Sequence, residues 1–172
     1  MGNKTEMSIS QDLEQELTRL VGTQSPTSVT VSEVSGLSLQ VDFVAVDSMS
    51  CSFTEIQLFV PSLQNAAFDS LKKWAEQLSQ RITYLLENIG PLEFDPDAGE
   101  VLIRSTPPSQ LASGTQYFEV ILSSKASGAF SLKRYRSVKG QPGRDPVEIT
   151  VTHEVLLKLT DDLIATIPTG TP

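Results

Sequence analysis

The chain has few of the residues from which most recognisable sites are built. Its 172 residues include one cysteine, Cys51, one histidine, His153, and one tryptophan, Trp74. A lone cysteine forms no intramolecular disulfide, and one histidine with one cysteine falls short of a His/Cys zinc site. Neither a metal nor any other cofactor is expected. No apolar run approaches the roughly 20 residues a membrane-spanning helix needs, residues 1–11 hold no apolar stretch of the signal-peptide kind, and Glu6 stands where a myristoylation signal wants Ser or Thr. These absences point to a cytoplasmic protein without a membrane anchor. Also missing are a GxSxG elbow, a GxxxxGK[ST] phosphate loop and a GxGxxG fingerprint, and Gly36, Gly90, Gly99, Gly114 and Gly128 read as turn residues.

What is present is an ordinary globular composition: 39% hydrophobic and 20% charged residues, with ten glycines and ten prolines. That length and balance fit one domain over residues 1–172, with residues 1–7 and 168–172 as polar tails outside the packed structure. The formal charge is −8, and it is uneven. Residues 1–100 hold 15 acidic and 5 basic side chains, and residues 101–172 hold 6 and 8, giving −10 and +2. Overall acidity argues against nucleic acid as a partner.

Apolar spacing sets the expected elements. Ile9, Leu13, Leu17, Leu20 and Val21 fall at helical intervals behind a Ser8/Gln11 capping box, with Gly22 as a stop. Val29 and Val31, then Leu37 to Ala45, alternate as two strands around Ser35-Gly36. Cys51 and Phe53 share one parity and Ile56, Leu58 and Val60 the other, which a bulge near Thr54 and Glu55 reconciles. From Ala67 through Leu71, Trp74, Ala75, Leu78, Ile82, Leu85 and Leu86 to Ile89 runs an apolar stripe that predicts one long helix closed by Gly90-Pro91. Leu92 to Phe94 and Val101 to Ile103 form a hairpin about Asp95-Pro96-Asp97-Ala98-Gly99. Tyr117 to Ser123 and Ala129 to Arg136 follow as strands, Thr106 to Thr115 reads as a loop, and Val147, Ile149 and Val151 alternate before Thr152 caps a last helix that buries Val155, Leu156, Leu159 and Leu163. The expected class is α+β: a largely antiparallel sheet of about seven strands covered by one long and two shorter helices. Small size, acidity and the order helix, three strands, long helix, hairpin, helix are similar to bacterial secretion-chaperone-like domains, from whose plan the strands between Tyr117 and Val151 depart.

Few residues invite a chemical reading. Asp95, Asp97 and Glu100 echo a calcium loop, but Gly99 occupies a ligand position, and a hairpin turn explains them better. Cys51 reads as a buried thiol and His153 as an exposed helix-terminal side chain, and Asp161-Asp162 as a solvated helix face. One concentration of charge stands out: Lys133, Arg134, Arg136, Lys139 and Arg144, with Tyr135 among them and Tyr117 and Phe118 nearby in sequence. It offers a binding site for an anionic partner, best matched by an acidic protein surface or by the acidic part of a second copy in a salt-sensitive homodimer, against the plainer alternative of an exposed strand with protective lysines and arginines. The expected function is a non-catalytic binding or assembly module. The competing expectation is a small-molecule binder or enzyme with a cavity between the sheet and the long helix.

Overall fold

Ser8 and Gln11 start the first helix as their spacing predicts. Ser8 Oγ accepts from the Gln11 N–H, the Gln11 side chain accepts from the Ser8 N–H, and two of the donors that a helix start leaves unpaired are satisfied. In the computed structural model, which describes residues 7–85, 89–105, 109–125 and 129–168, this helix α1 spans Ile9–Leu20 and buries Ile9, Leu13, Leu17 and Leu20. Strands β1 (Thr27–Ser32), β2 (Ser38–Val46) and β3 (Ser50–Phe59) form a meander. The anticipated bulge is there: Phe53 faces Phe43 while Glu55 faces Asp42, which leaves Thr54 over. Phe53, Ile56 and Leu58 are thereby all buried despite their mismatched parity.

Helix α2 is shorter than its apolar stripe. It spans Phe68–Arg81, so the expectation of one long helix reaching Ile89 is corrected. Ile82, Thr83 and Tyr84 are poor helix formers, and tertiary bonds give the chain a reason to leave the helix there. Arg81 Nε donates to Asp162 Oδ1 at 2.8 Å, and the Tyr84 hydroxyl donates to Asp162 Oδ2 at 2.6 Å. Ile82, Leu85 and Ile89 remain buried, because the non-helical residues 82–85 and the start of the next strand also turn apolar side chains toward the same core. That is how the stripe outlives the helix; Leu86 lies outside the described residues. Gly90 and Pro91 do not end a helix but lie in strand β4 (Ile89–Asp95). Pro91 is tolerated because β4 is an edge strand and needs no outward N–H.

Strand β5 (Glu100–Ser105) returns from the predicted turn, in which Asp95 Oδ1 accepts the Ala98 N–H and Gly99 takes a φ of 66°. The stretch expected to be a loop before Thr115 carries β6 (Ser109–Leu111), which pairs with β7 (Gly114–Ser123). At Gly114 a Cβ would stand 1.9 Å from the Ser137 carbonyl oxygen, so no side chain fits this close approach. Strand β8 (Ala129–Val138) pairs with β7 along its whole length without a register shift; Ala126, Ser127 and Gly128 of the turn between them lie outside the described residues. The single strand expected around Val147 to Val151 is two. β9 (Asp145–Val147) joins β8, and β10 (Ile149–Thr152) joins β3. Between these pairings β3 and β8 bond to each other only over Ile56–Phe59 and Ala129–Leu132. The sheet forks there, and β9 and β10 fill the fork. Thr152 then caps helix α3 (His153–Ala165) through Val155 N–H.

Every pairing among the named strands is antiparallel, in the main order β1-β2-β3-β8-β7-β5-β4. The three helices lie on one face, over Leu39, Val41, Phe53, Ile56, Val101, Ile103, Val120, Leu122, Phe130 and Leu132. Trp74 fills the centre, with its ring 6.0 Å from that of Phe130 and its Nε1 donating to Thr166 Oγ1 at 3.1 Å. The fold class is the α+β arrangement expected.

Asp162 departs from the expected solvated pair. Asp161 is exposed, whereas Asp162 is buried and also accepts from Lys158 Nζ at 3.3 Å. Burial opposes its charge, yet the bonds from Tyr84, Arg81 and Lys158 hold its carboxyl below the ordinary value of 3.8. Its stabilising contribution is therefore present above that value and fades as pH falls toward the lower folded value. Replacement of Asp162 by Asn is expected to cost about 2 kcal/mol in urea unfolding at pH 7. The gap between wild type and variant should narrow as the pH is brought down below 3.8.

Candidate functional site

Among the described residues, the face opposite the helices has no helix over it. Strict alternation along β7 and β8 sends Phe118, Val120, Phe130 and Leu132 to the helices, and Tyr117, Glu119, Ile121, Lys133 and Tyr135 to the other side. Register places Arg104 of β5 beside Glu119, Glu119 beside Lys133, and Tyr117 beside Tyr135. The rings of Tyr117 and Tyr135 lie 6.0 Å apart.

Glu119 is the centre of this arrangement. It is 4% exposed although it lies on the open face, because two arginines cover it. Arg104 Nε donates to Oε2 at 3.0 Å, Arg144 Nη2 donates to Oε1 at 3.1 Å, and Arg144 Nη1 donates to Oε2. Arg144 comes from the loop between β8 and β9. Its guanidinium lies 3.7 Å above the centre of the Tyr135 ring and reaches the Tyr117 hydroxyl at 3.3 Å, while Arg104 stacks on Tyr117 at 5.1 Å. The planar fork of arginine suits both jobs, pairing with two carboxylate oxygens and stacking on a ring. Burial works against the Glu119 charge, but the bonds from Arg144 and Arg104 prevail and hold the carboxyl below its ordinary 4.5. Two guanidiniums against one carboxylate leave the cluster with one net positive charge. Beside it is a shallow depression of about 230 Å³ lined by Glu93, Asp95, Glu100, Leu102 and Ile121.

Of the residues singled out in the sequence, the fold unites Tyr135 and Arg144. Lys133 shares their face and pairs with Glu55 at 3.5 Å. Arg134 and Arg136 have the parity of the core residues Phe130 and Leu132 and leave from the helix side, where the Arg134 guanidinium sits 4.6 Å over the Phe118 ring and Arg136 is exposed. Lys139 is exposed in the loop, with its N–H donating to the Ser113 carbonyl. The run of basic residues is thus divided between two faces. Sequence reasoning missed Arg104 and Glu119. The available signal was one glutamate within the otherwise apolar Phe118–Leu122, but its partners are 15 and 25 residues away, one found by strand register and the other brought in by a loop.

The other candidates resolve without chemistry. Burial pushes the Cys51 thiol up to about 12, so it stays protonated and a poor nucleophile. His153 is half-buried rather than exposed, and its Nε2 lies 3.1 Å from the Ser50 carbonyl oxygen. Among the described residues no three metal-ligating side chains gather, and no helix is long and apolar enough to cross a membrane.

Loss of the Glu119 charge in Glu119→Gln should release Arg144 and its loop. Trypsin is expected to cut after the exposed Lys139 several-fold faster than in wild type, with a stability loss of about 1–2 kcal/mol, modest because both arginines remain partly in water. Because the folded carboxyl titrates below 4.5, wild type should show the same loosening as pH falls through that lower value, whereas the variant should show no such pH step. No protein-family profile, no curated protein and no solved structure matches the chain.

Proposed function

We propose that the chain is a non-catalytic binding or assembly module that holds a protein partner, or a second copy of itself, on the helix-free face of the sheet. The observation that supports this most is the make-up of that face around Glu119. Tyr117, Tyr135, Arg104 and Arg144 are of the types that dominate binding energy at protein interfaces, and Leu102 and Ile121 beside them add apolar area, Ile121 being 38% exposed. The ion pairs hold these side chains in place before any partner arrives, which lowers the entropic cost of association. The adjoining depression, about 230 Å³, is smaller than the roughly 300–1,000 Å³ of ordinary small-molecule sites. Glu119, engaged by both arginines, is poorly suited to accept a proton.

A second reading has one observation in its favour. Where α2 ends early, a cavity of about 250 Å³ opens at the sheet fork between Tyr84, Leu85, Phe118, Arg134, Ile149 and Val155. No residue of α2 lines it, and at this volume it too falls below the roughly 300 Å³ of ordinary small-molecule sites; a small apolar molecule is what it would take. A larger depression of about 410 Å³ lies between Leu37, Pro61, Ile164 and Ile167, but it ends at Pro168, where the described residues stop.

Native mass spectrometry of the protein purified gently from its own cells separates these readings when wild type is compared with Ile121→Arg. The binding module predicts a protein partner or self-complex that Ile121→Arg weakens at least about tenfold, with an unchanged circular dichroism spectrum. A retained small molecule that survives Ile121→Arg, or the absence of any partner or self-complex that the substitution weakens, contradicts it.

A further inference from the structure

The two ends of the main sheet order are built differently. The β4 end is guarded: Pro91 lacks an N–H, the pairing with β5 skips at Leu92, and Glu93 and Asp95 place charge along the strand. These are ordinary devices against edge-to-edge association. β1 itself has none of them, with Pro26 lying just ahead of it. Residues 23–32, TQSPTSVTVS, carry no charged side chain, and β1 itself has no proline and pairs with β2 residue for residue without a bulge. Alternate residues of such an edge turn their N–H and C=O groups away from the sheet, and no other strand among the described residues takes them up.

We propose that β1 is the seam of a symmetric homodimer, in which two copies join their sheets by antiparallel β1–β1 pairing. The strand is self-complementary in that register. A two-fold axis through Thr30 opposes Thr30 to itself, Val29 to Val31 of the other copy, and Ser28 to Ser32. Val29 and Val31 are buried on the helix side, while Ser28, Thr30 and Ser32 are exposed on the open side, so each pair joins like surface to like on the correct face. The nearest carboxylate in register, Asp42, is already bonded by Ser28 Oγ at 2.7 Å. A chain of formal charge −8 repels its own copy, and this uncharged edge adds nothing to that repulsion. The seam uses the sheet edge and stands whether or not the open face binds a partner.

The test is sedimentation of the full chain over a range of concentrations, at low and at 1 M salt, for wild type, Thr30→Glu and Thr30→Lys. Because Thr30 is exposed, neither substitution disturbs the core, and circular dichroism checks that both fold. The seam predicts a wild-type dimer that persists in high salt, dissociation constants at least about tenfold weaker for either variant alone, and recovery of the dimer when the Glu and Lys variants are mixed. A wild-type monomer at all concentrations overturns the proposal. So does a dimer that dissolves in high salt, which would indicate association through charged surfaces instead, or one that tolerates both substitutions alone.

Discussion

The pairing of β7 with β8 is the constraint on which the rest of the structure depends. From Gly114 opposite Val138 to Ser123 opposite Ala129 the ladder runs without a slip. A shift of β7 by one residue would send Phe118, Val120 and Leu122 into water and Glu119 into the core, and a shift of β8 would do the same to Phe130 and Leu132 and to Lys133. The ladder therefore decides at once which face receives α2 and its tryptophan and which face is left open. The tight approach at Gly114, where only a hydrogen fits, fixes one end of it.

Two buried carboxylates tie the peripheral parts to this frame, one on each side of the sheet. On the helix side Asp162 receives Arg81 and Tyr84 and holds the chain where it leaves α2. On the open side Glu119 receives Arg104 and Arg144 and fastens the loop after β8. Each is charged because its hydrogen bonds outweigh the cost of burial, so both become weaker under acid conditions. The loop after β8, exposed over residues 139–146, is thus held by directional bonds rather than by apolar area, which favours its local release, whereas the end of α2 also keeps Ile82 and Leu85 in the core.

Much of the architecture was legible because it is local. The Ser8/Gln11 box, the Asp95 turn, the Thr152 cap and the Thr54 bulge each follow from a few neighbouring residues, and the α+β class follows from their order. The errors arose where tertiary contacts decided. The stripe from Ala67 to Ile89 kept helical spacing past the true end of α2 because Ile82, Leu85 and Ile89 reach the same core by another path. Val147, Ile149 and Val151 alternate as one strand, yet the fork between β3 and β8 divides them. The basic run Lys133–Arg144 looked like a single patch in one dimension, and the pleat splits it. Glu119 stood out only as one glutamate in an apolar strand, since its meaning comes from Arg104 and Arg144 on other elements.

The central claim, that the face left open by the β7–β8 ladder is the surface this chain uses, is tested most directly by hydroxyl-radical footprinting of the assembly purified from cells against the isolated chain. The account predicts that Tyr117, Tyr135, Leu102 and Ile121 lose reactivity in the assembly while the exposed side chains of α1 and α2 keep theirs. Protection on the helices, with the open face equally reactive in both states, would contradict it.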